Sequence, residues 1–288
     1  MLKLTSTNYE IDDTIIVINS SNRAGELKTP LMFPEGVMNW VIAIPEEQEA
    51  LYLDFYPAER LLPIPDGIPH ELPAQRQFVM EYFEAYKYVW LMDDDLTFFH
   101  RNDELLLRKV DQKFCTEMFK AMHRELQDFN MVGISTRLGN NRISTDYDET
   151  NRCTRCYAMN REVFMEVGAK FNPIPNFVAE DFHMTLCFLN AGHNNRILHT
   201  FAQEDIGSNA DGGCSVYRTY EVQKTTSHWM ENNHPEVKVK VKSSKNAWGL
   251  KSKKDGTFSR VDVIVGWKKA YKPKRRAGGL SALLSKKK

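Results

Sequence analysis

Apolar and polar positions follow one another along this chain in blocks, and the block lengths predict strands alternating with helices. Short apolar runs at 14–18, 40–44, 88–92 and 131–135 have the length and the β-branched or aromatic make-up of buried strands. Two weaker strands are expected at 156–159 and 197–201. Helical spacing fills the gaps. Residues 110–129 place Phe114, Met118, Met122 and Leu126 four apart, which lines one helix face. Residues 73–86 carry Phe78, Tyr82 and Phe83 at the same kind of spacing, and 46–55 and 161–167 read as shorter helices. Residues 180–190 read as an amphipathic helix closed by Gly192, a residue type that ends helices in a left-handed turn. The Pro-rich stretch 61–69 is extended and turns at Asp66-Gly67. Gly139-Asn140-Asn141 reads as a turn, and the Gly-rich stretch around 211–213 as a loop over a site. This alternation defines an α/β chain with a central sheet flanked by helices.

The run 88–92 ends in three consecutive carboxylates, Asp93-Asp94-Asp95. A strand buried on both faces cannot keep three adjacent acids inside, because unpaired buried charge costs too much. The acids therefore belong where the strand emerges, at the edge where α/β sheets bind ligands. Alternation along an extended chain would point Asp93 and Asp95 the same way. Two converging carboxylates suit a hard divalent cation carrying phosphate oxygens, Mn²⁺ or Mg²⁺. An acidic turn without a ligand is the plainer alternative.

Composition changes the picture in one respect. The net charge is zero, yet from Lys238 to Lys288 there are 17 Lys and Arg against 2 Asp, and the rest of the chain carries the compensating surplus of acids. Lys238, Lys240 and Lys242 alternate with valine, so they share one face of a strand. Such a segment is the electrostatic footprint of a polyanion binder, and nucleic acid fits it better than a membrane or a merely solvated tail. The expected division is a catalytic domain over 1–245 and a basic, partly flexible extension over 246–288. No stretch approaches ~18 consecutive apolar residues, no signal pattern opens the chain, and five cysteines lack framework spacing. These features point to a cytoplasmic protein without a membrane partner. Cys153-x-x-Cys156 reads as ordinary thiols.

A second acid pair, Glu180-Asp181, opens the helix at 180–190, where the helix dipole favours anions and where a carboxylate could accept a proton from an incoming hydroxyl. A strand ending in Asp93-Asp94-Asp95, followed well downstream by Glu180-Asp181 and Gly192, resembles a GT-A nucleotide-sugar glycosyltransferase. The segments Asn19-Ser20-Ser21-Asn22-Arg23, Gly67-Ile68-Pro69, Ala74-Gln75-Arg76-Gln77 and Asp95-Leu96-Thr97-Phe98-Phe99 make it similar to the TET/JBP-associated glycosyltransferases of bacteriophages over roughly residues 14 to 220. That family glycosylates 5-hydroxymethylcytosine in phage DNA.

The resemblance implies a GT-A-like (Rossmann-like) mixed sheet, a UDP-sugar donor, and DNA containing 5-hydroxymethylcytosine as the acceptor, in the infected host's cytoplasm. Asp95 and Asp93 would hold the metal, with His199 the first candidate for a third ligand and His228 and His234 as others. Asn19, Ser20, Arg23, Arg76, Asp93 and Asp94 would surround the nucleotide, the two arginines as phosphate forks. Asp181, with Glu180 second, would be the base of an inverting reaction. Arg218 is a further contact candidate, and Trp229 and Trp248 could stack on a base. Two other classes remain open: a glycosyltransferase acting on protein or surface glycan, and a metal-dependent DNA binder or nuclease.

Overall fold

The apolar runs become the middle of one ten-stranded sheet. The computed structural model describes residues 12–34, 39–138, 143–205, 217–244, 251–252 and 258–273. In chain order the main sheet contains β1 (Thr14–Asn19), β2 (Trp40–Pro45), β3 (Leu61–Ile64), β4 (Tyr88–Asp93), β5 (Thr97–Arg101), β6 (Leu107–Lys109), β7 (Met131–Thr136), β8 (Tyr147–Glu149), β9 (Cys156–Asn160) and β10 (Asn195–Glu204). Its spatial order is β3-β2-β1-β4-β9-β7-β10-β5-β6, with β8 paired to β10. The first four are mutually parallel. Antiparallel β9 joins that half to β7, and β10 runs parallel to β7 but antiparallel to β5. This is the mixed sheet that the sequence implied.

Alternation along β1 and β4 fills both faces. Ile16, Ile18, Tyr88, Trp90 and Met92 face α3 (Gln112–Glu125), which supplies Cys115, Met118, Phe119 and Met122. Ile15, Val17, Val89 and Leu91 face Val79 and Met80 of α2 (Leu72–Tyr82), Phe164 of α4 (Arg161–Val167), and Met184 and Phe188 of α5 (Glu180–Asn190). The short α1 (Glu49–Leu53) follows β2. Gly192 adopts φ 85°, as a residue ending a helix does.

The chain leaves β1 for β2 and β3 on one side, then returns as β4 on the other, with Asn19 paired to Asp93. Crevices at such a reversal are where open α/β sheets bind ligands.

Several elements were not visible in the pattern. Strands β6 and β8 have three residues each, too few for alternation to register. Helix α6 (Tyr220–Asn233) buries only Thr226, Ser227 and Met230, so its apolar stripe is faint. It is followed by β11 (Val237–Ser244), β12 (Lys251–Ser252), β13 (Phe258–Val265) and α7 (Trp267–Ala270). Strands β11 and β13 pair antiparallel from Val237↔Val265 to Ser244↔Phe258. The boundary expected after residue 245 therefore falls inside a sheet, between strands that hydrogen-bond to each other. This unit packs on α5 through Leu186, Leu189, Met230, Val237 and Ala270. The turn at Gly139-Asn140-Asn141, the loop around 211–213, Trp248 and the chain after Pro273 lie outside the described residues. Among the described residues no helix is long and apolar enough to cross a membrane.

Candidate active site

The triple Asp sits at the β1–β4 reversal, and backbone contacts fix its course. Strand β4 ends at Asp93, and Asp94 and Asp95 form a turn. The N–H groups of Lys28 and Thr29 donate to the Asp94 carbonyl at 2.8 and 3.0 Å. Buried Thr29 donates its hydroxyl to the Asp93 carbonyl at 2.6 Å and accepts from the Leu96 N–H at 2.9 Å. Strand alternation thus stops at Asp93, two residues earlier than the sequence reading assumed. Asp94 and Asp95 both reach Arg23, at 3.0 and 3.5 Å, while Asp93 turns to Arg76.

The loop after β1 brings up the partners. Ser20 donates to Asp94 at 2.6 Å, and its Oγ lies 2.7 Å from the hydroxyl of fully buried Tyr52. Asn22 holds φ 58°, a left-handed conformation that Asn tolerates, and its N–H donates to Gln48 at 2.7 Å. Asn19 is buried opposite Asp93, and neither polar atom of its amide has a partner among the described residues. Unpaired buried amides are costly, and one beside the acid cluster points to a ligand group.

Arg76 ties the two acid groups together. Its side chain is 2% exposed, and it donates to Asp93 at 2.7 Å and to Glu180 at 2.9 Å. It also lies over Tyr157, 5.7 Å from the ring centroid. Its expected role as a phosphate fork does not match this placement, because the guanidinium is spent on carboxylates beneath the site. Asp181 is held separately by Arg152, at 3.0 Å from Nε. The Arg152 guanidinium also covers Phe182 at 3.7 Å.

These contacts separate the acids electrostatically. Burial pushes Asp93 up to about 7 against the pull of Arg76, and Asp95 and Glu180 add to the rise. Burial and neighbouring Asp181 raise Glu180, while Arg76 and Arg218 oppose the shift. Burial works on Asp181 as well, but Arg152 and hydrogen bonds from Arg152, Thr154 and the Phe182 N–H bring it below the ordinary carboxylate value. Among the described residues four carboxylates (Asp93, Asp94, Asp95, Glu180) pair directly with two guanidiniums, Arg23 and Arg76, while Arg155 and Arg218 add positive charge nearby. A cluster with that many carboxylate oxygens fits a hard divalent ion.

The expected histidine does not join it. His199 lies where β10 shifts register, and its ring faces Thr145, 3.1 Å from Oγ1. The strand pattern could not show the shift that turns it away. His228 is exposed and sits 3.7 Å from Glu231, and His234 packs against His183. Trp229 is part of the core beneath α6. Cys153 and Cys156 are separate buried thiols. Tyr52, Thr29 and Arg152 were missed by sequence reasoning, since nothing in their local context marks them and only the fold brings them in.

Comparison with known proteins places the chain among the glycosyltransferases. Residues 14–212 match the model of the TET-Associated Glycosyltransferase family, and the chain belongs to that family. A search of curated proteins gave no match. Solved structures of similar shape include the catalytic domain of Drosophila beta1,4galactosyltransferase 7 in complex with xylobiose, at TM-score 0.44 and 13% identity over 88% of this chain and 93% of that one. Another is the 4-diphosphocytidyl-2C-methyl-D-erythritol synthase of Anaerococcus prevotii, at 0.40 and 10% over 75% and 96%. A third is GalNAc-T7 with UDP, GalNAc and Mn²⁺, at 0.36 and 10% over 68% and 44%.

Proposed function

We propose that this glycosyltransferase moves a sugar from a UDP-sugar to the hydroxyl of 5-hydroxymethylcytosine in DNA, with inversion. The observation that carries the reading is the joining of Asp93 to Glu180 through buried Arg76, which brings the metal-type acids and the helix-start acids together. Asp93 and Asp95 would hold Mn²⁺ or Mg²⁺. Such an ion neutralises charge developing on a diphosphate leaving group. Asn19, Ser20 and Arg23 line the end of β1, where a nucleotide would lie, and the orphaned amide of Asn19 is suited to a uracil or ribose group. Asp94, oriented by Ser20 and Arg23, faces the same region.

The acceptor hydroxyl oxygen attacks the anomeric carbon, the bond from that carbon to the phosphate oxygen breaks, and UDP departs. The hydroxyl proton goes to Asp181, which Arg152 keeps ionised. Glu180, fixed by Arg76, is a positioning residue in this scheme. A DNA acceptor is supported by the family and by the lysines of β11. Lys238, Lys240 and Lys242 are exposed along one face, and Lys268 and Lys269 are exposed on α7. The hydroxymethyl group lies in the major groove and is reached there or after extrusion of the base.

The test is incubation with a panel of UDP-sugars, Mn²⁺, and hydroxymethylated, methylated or plain DNA, followed by mass spectrometry of the digested nucleosides. A hexose or pentose added only to hydroxymethylcytosine is expected. Transfer to glycans or protein with no nucleoside product would overturn the acceptor.

A further inference from the structure

Two residues past its acid pair, α5 begins a second cluster of ligating side chains that the proposed reaction does not use. His183 and Cys187 stand four residues apart on one helix face, and His234 meets them from the end of α6. His183 Nδ1 lies 2.8 Å from His234 Nε2 and 3.5 Å from Cys187 Sγ. One ligand atom from each residue lies within 4.8 Å of the other two. The His183 ring also hydrogen-bonds the Lys170 backbone, the kind of outer contact that orients a ligating imidazole. Phe177 and Trp229 wall the cluster edge-on.

We propose that His183, Cys187 and His234 form a zinc site that clamps α6 and the sheet behind it onto α5. Imidazole and thiolate donors select borderline ions such as Zn²⁺, whereas the all-carboxylate cluster selects Mn²⁺ or Mg²⁺. The chain would thus sort two ions by ligand chemistry. Around a tetrahedral ion with metal–nitrogen bonds of ~2.0–2.1 Å and metal–sulfur bonds of ~2.3 Å, neighbouring ligand atoms stand roughly 3.3–3.6 Å apart. The His183–Cys187 separation already meets that spacing. The two imidazoles must part by roughly half an ångström, which small χ changes supply. Half-buried Cys187 leaves an approach from solvent. Without an ion, the same atoms would make a neutral imidazole–imidazole hydrogen bond beside a thiol.

Cobalt separates the two states without measuring activity. Full-length protein is stripped with a chelator and titrated with Co²⁺. The expected result is about one ion bound with a thiolate-to-cobalt charge-transfer band and tetrahedral visible absorption, displaced by Zn²⁺. Asp95→Asn should keep the band, while Cys187→Ser and His234→Gln should each lose it. Zn²⁺ should raise the melting temperature of the wild type and leave that of Cys187→Ser unmoved. A wild type with no thiolate band, or a band that survives in Cys187→Ser, would overturn the site. If Cys187→Ser does not fold, the same reading is taken from His234→Gln and from wild type whose thiol has been alkylated. None of these outcomes depends on which sugar or acceptor is used.

Discussion

Arg76 is the residue on which the candidate site turns. A guanidinium buried to 2% exposure pairs with both Asp93 and Glu180, whereas Asp95 pairs with Arg23 and Asp181 with Arg152. Asp95→Asn should abolish transfer, because a neutral amide cannot hold a divalent ion against water as a carboxylate does. The check is turnover across an Mn²⁺ titration, and activity within a few-fold of wild type would remove the metal assignment. Asp181→Asn should lower kcat by ~10²–10⁴-fold with donor binding nearly intact. Glu180→Gln should instead raise the Mn²⁺ requirement, since it disturbs the partner of Arg76; calorimetry with Mn²⁺ and UDP distinguishes the two. Asp93 also has a pH signature. Its folded pKa of about 7 lies above the ordinary value of 3.8, so the fold favours the protonated form. That contribution is full at low pH and is lost as pH rises from about 4 through about 7. Mn²⁺ should therefore raise the melting temperature more at about pH 8 than at about pH 5. A shift independent of pH would put the ion elsewhere. At this scale the acids were legible in the sequence, because charge after an apolar run has few places to go. Their partners were not, since Arg152, Tyr52 and Thr29 reach the site only through tertiary packing.

Elements are held by how completely their faces are covered. Helix α3 shows this residue by residue: Met118 and Met122 are fully buried against β1 and β4, while Phe114 on the same stripe is 40% exposed. Met118→Ala should cost ~2–5 kcal/mol, and Phe114→Ala should cost much less. Urea unfolding should show a lower midpoint with unchanged slope for Met118→Ala. Equal losses for both variants would mean that the helix packs differently. The long periodic elements were readable because both faces of β1 and β4, and one face of α3, are apolar throughout. Helix α5 emerged with the bounds 180–190 expected of it. Helix α6 was missed because its buried positions are mostly Thr and Ser. His199 was misplaced because a register shift cannot be seen in hydrophobic alternation.

For the whole molecule, the charge division of the chain acquires a structural address. Exposed Lys238 and Lys240 stand on β11, and Lys242 pairs with Asp262 at 2.7 Å. Lys238→Glu with Lys240→Glu should flatten the dependence of log K on log salt for duplex DNA, by up to about 2 in slope if both contact phosphate. A salt titration by fluorescence anisotropy measures it, and an unchanged slope would separate this face from DNA. The basic tail must be trimmed after Pro273 rather than near Trp248, because a cut at 248 removes β13, the partner of β11, together with α7. Net charge by segment located the lysine-rich region, but the sheet it helps to build depends on pairing across residues 245–257, which composition cannot show.

The docking of α7 on α5 also has a consequence for synthesis. Phe182 stacks on Trp267 with centroids 5.8 Å apart, and the Lys272 N–H donates to the Leu189 carbonyl at 3.1 Å. The helix carrying Glu180 and Asp181 therefore leaves the ribosome with one face covered by the main sheet and part of the other awaiting residues that arrive about 80 positions later. At ~5–20 residues per second that interval is roughly 4–16 s. During it, the face of Phe182 that Trp267 will cover lies open to any apolar surface nearby, so nascent chains stalled before Trp267 should be those that chaperones hold and that aggregate first.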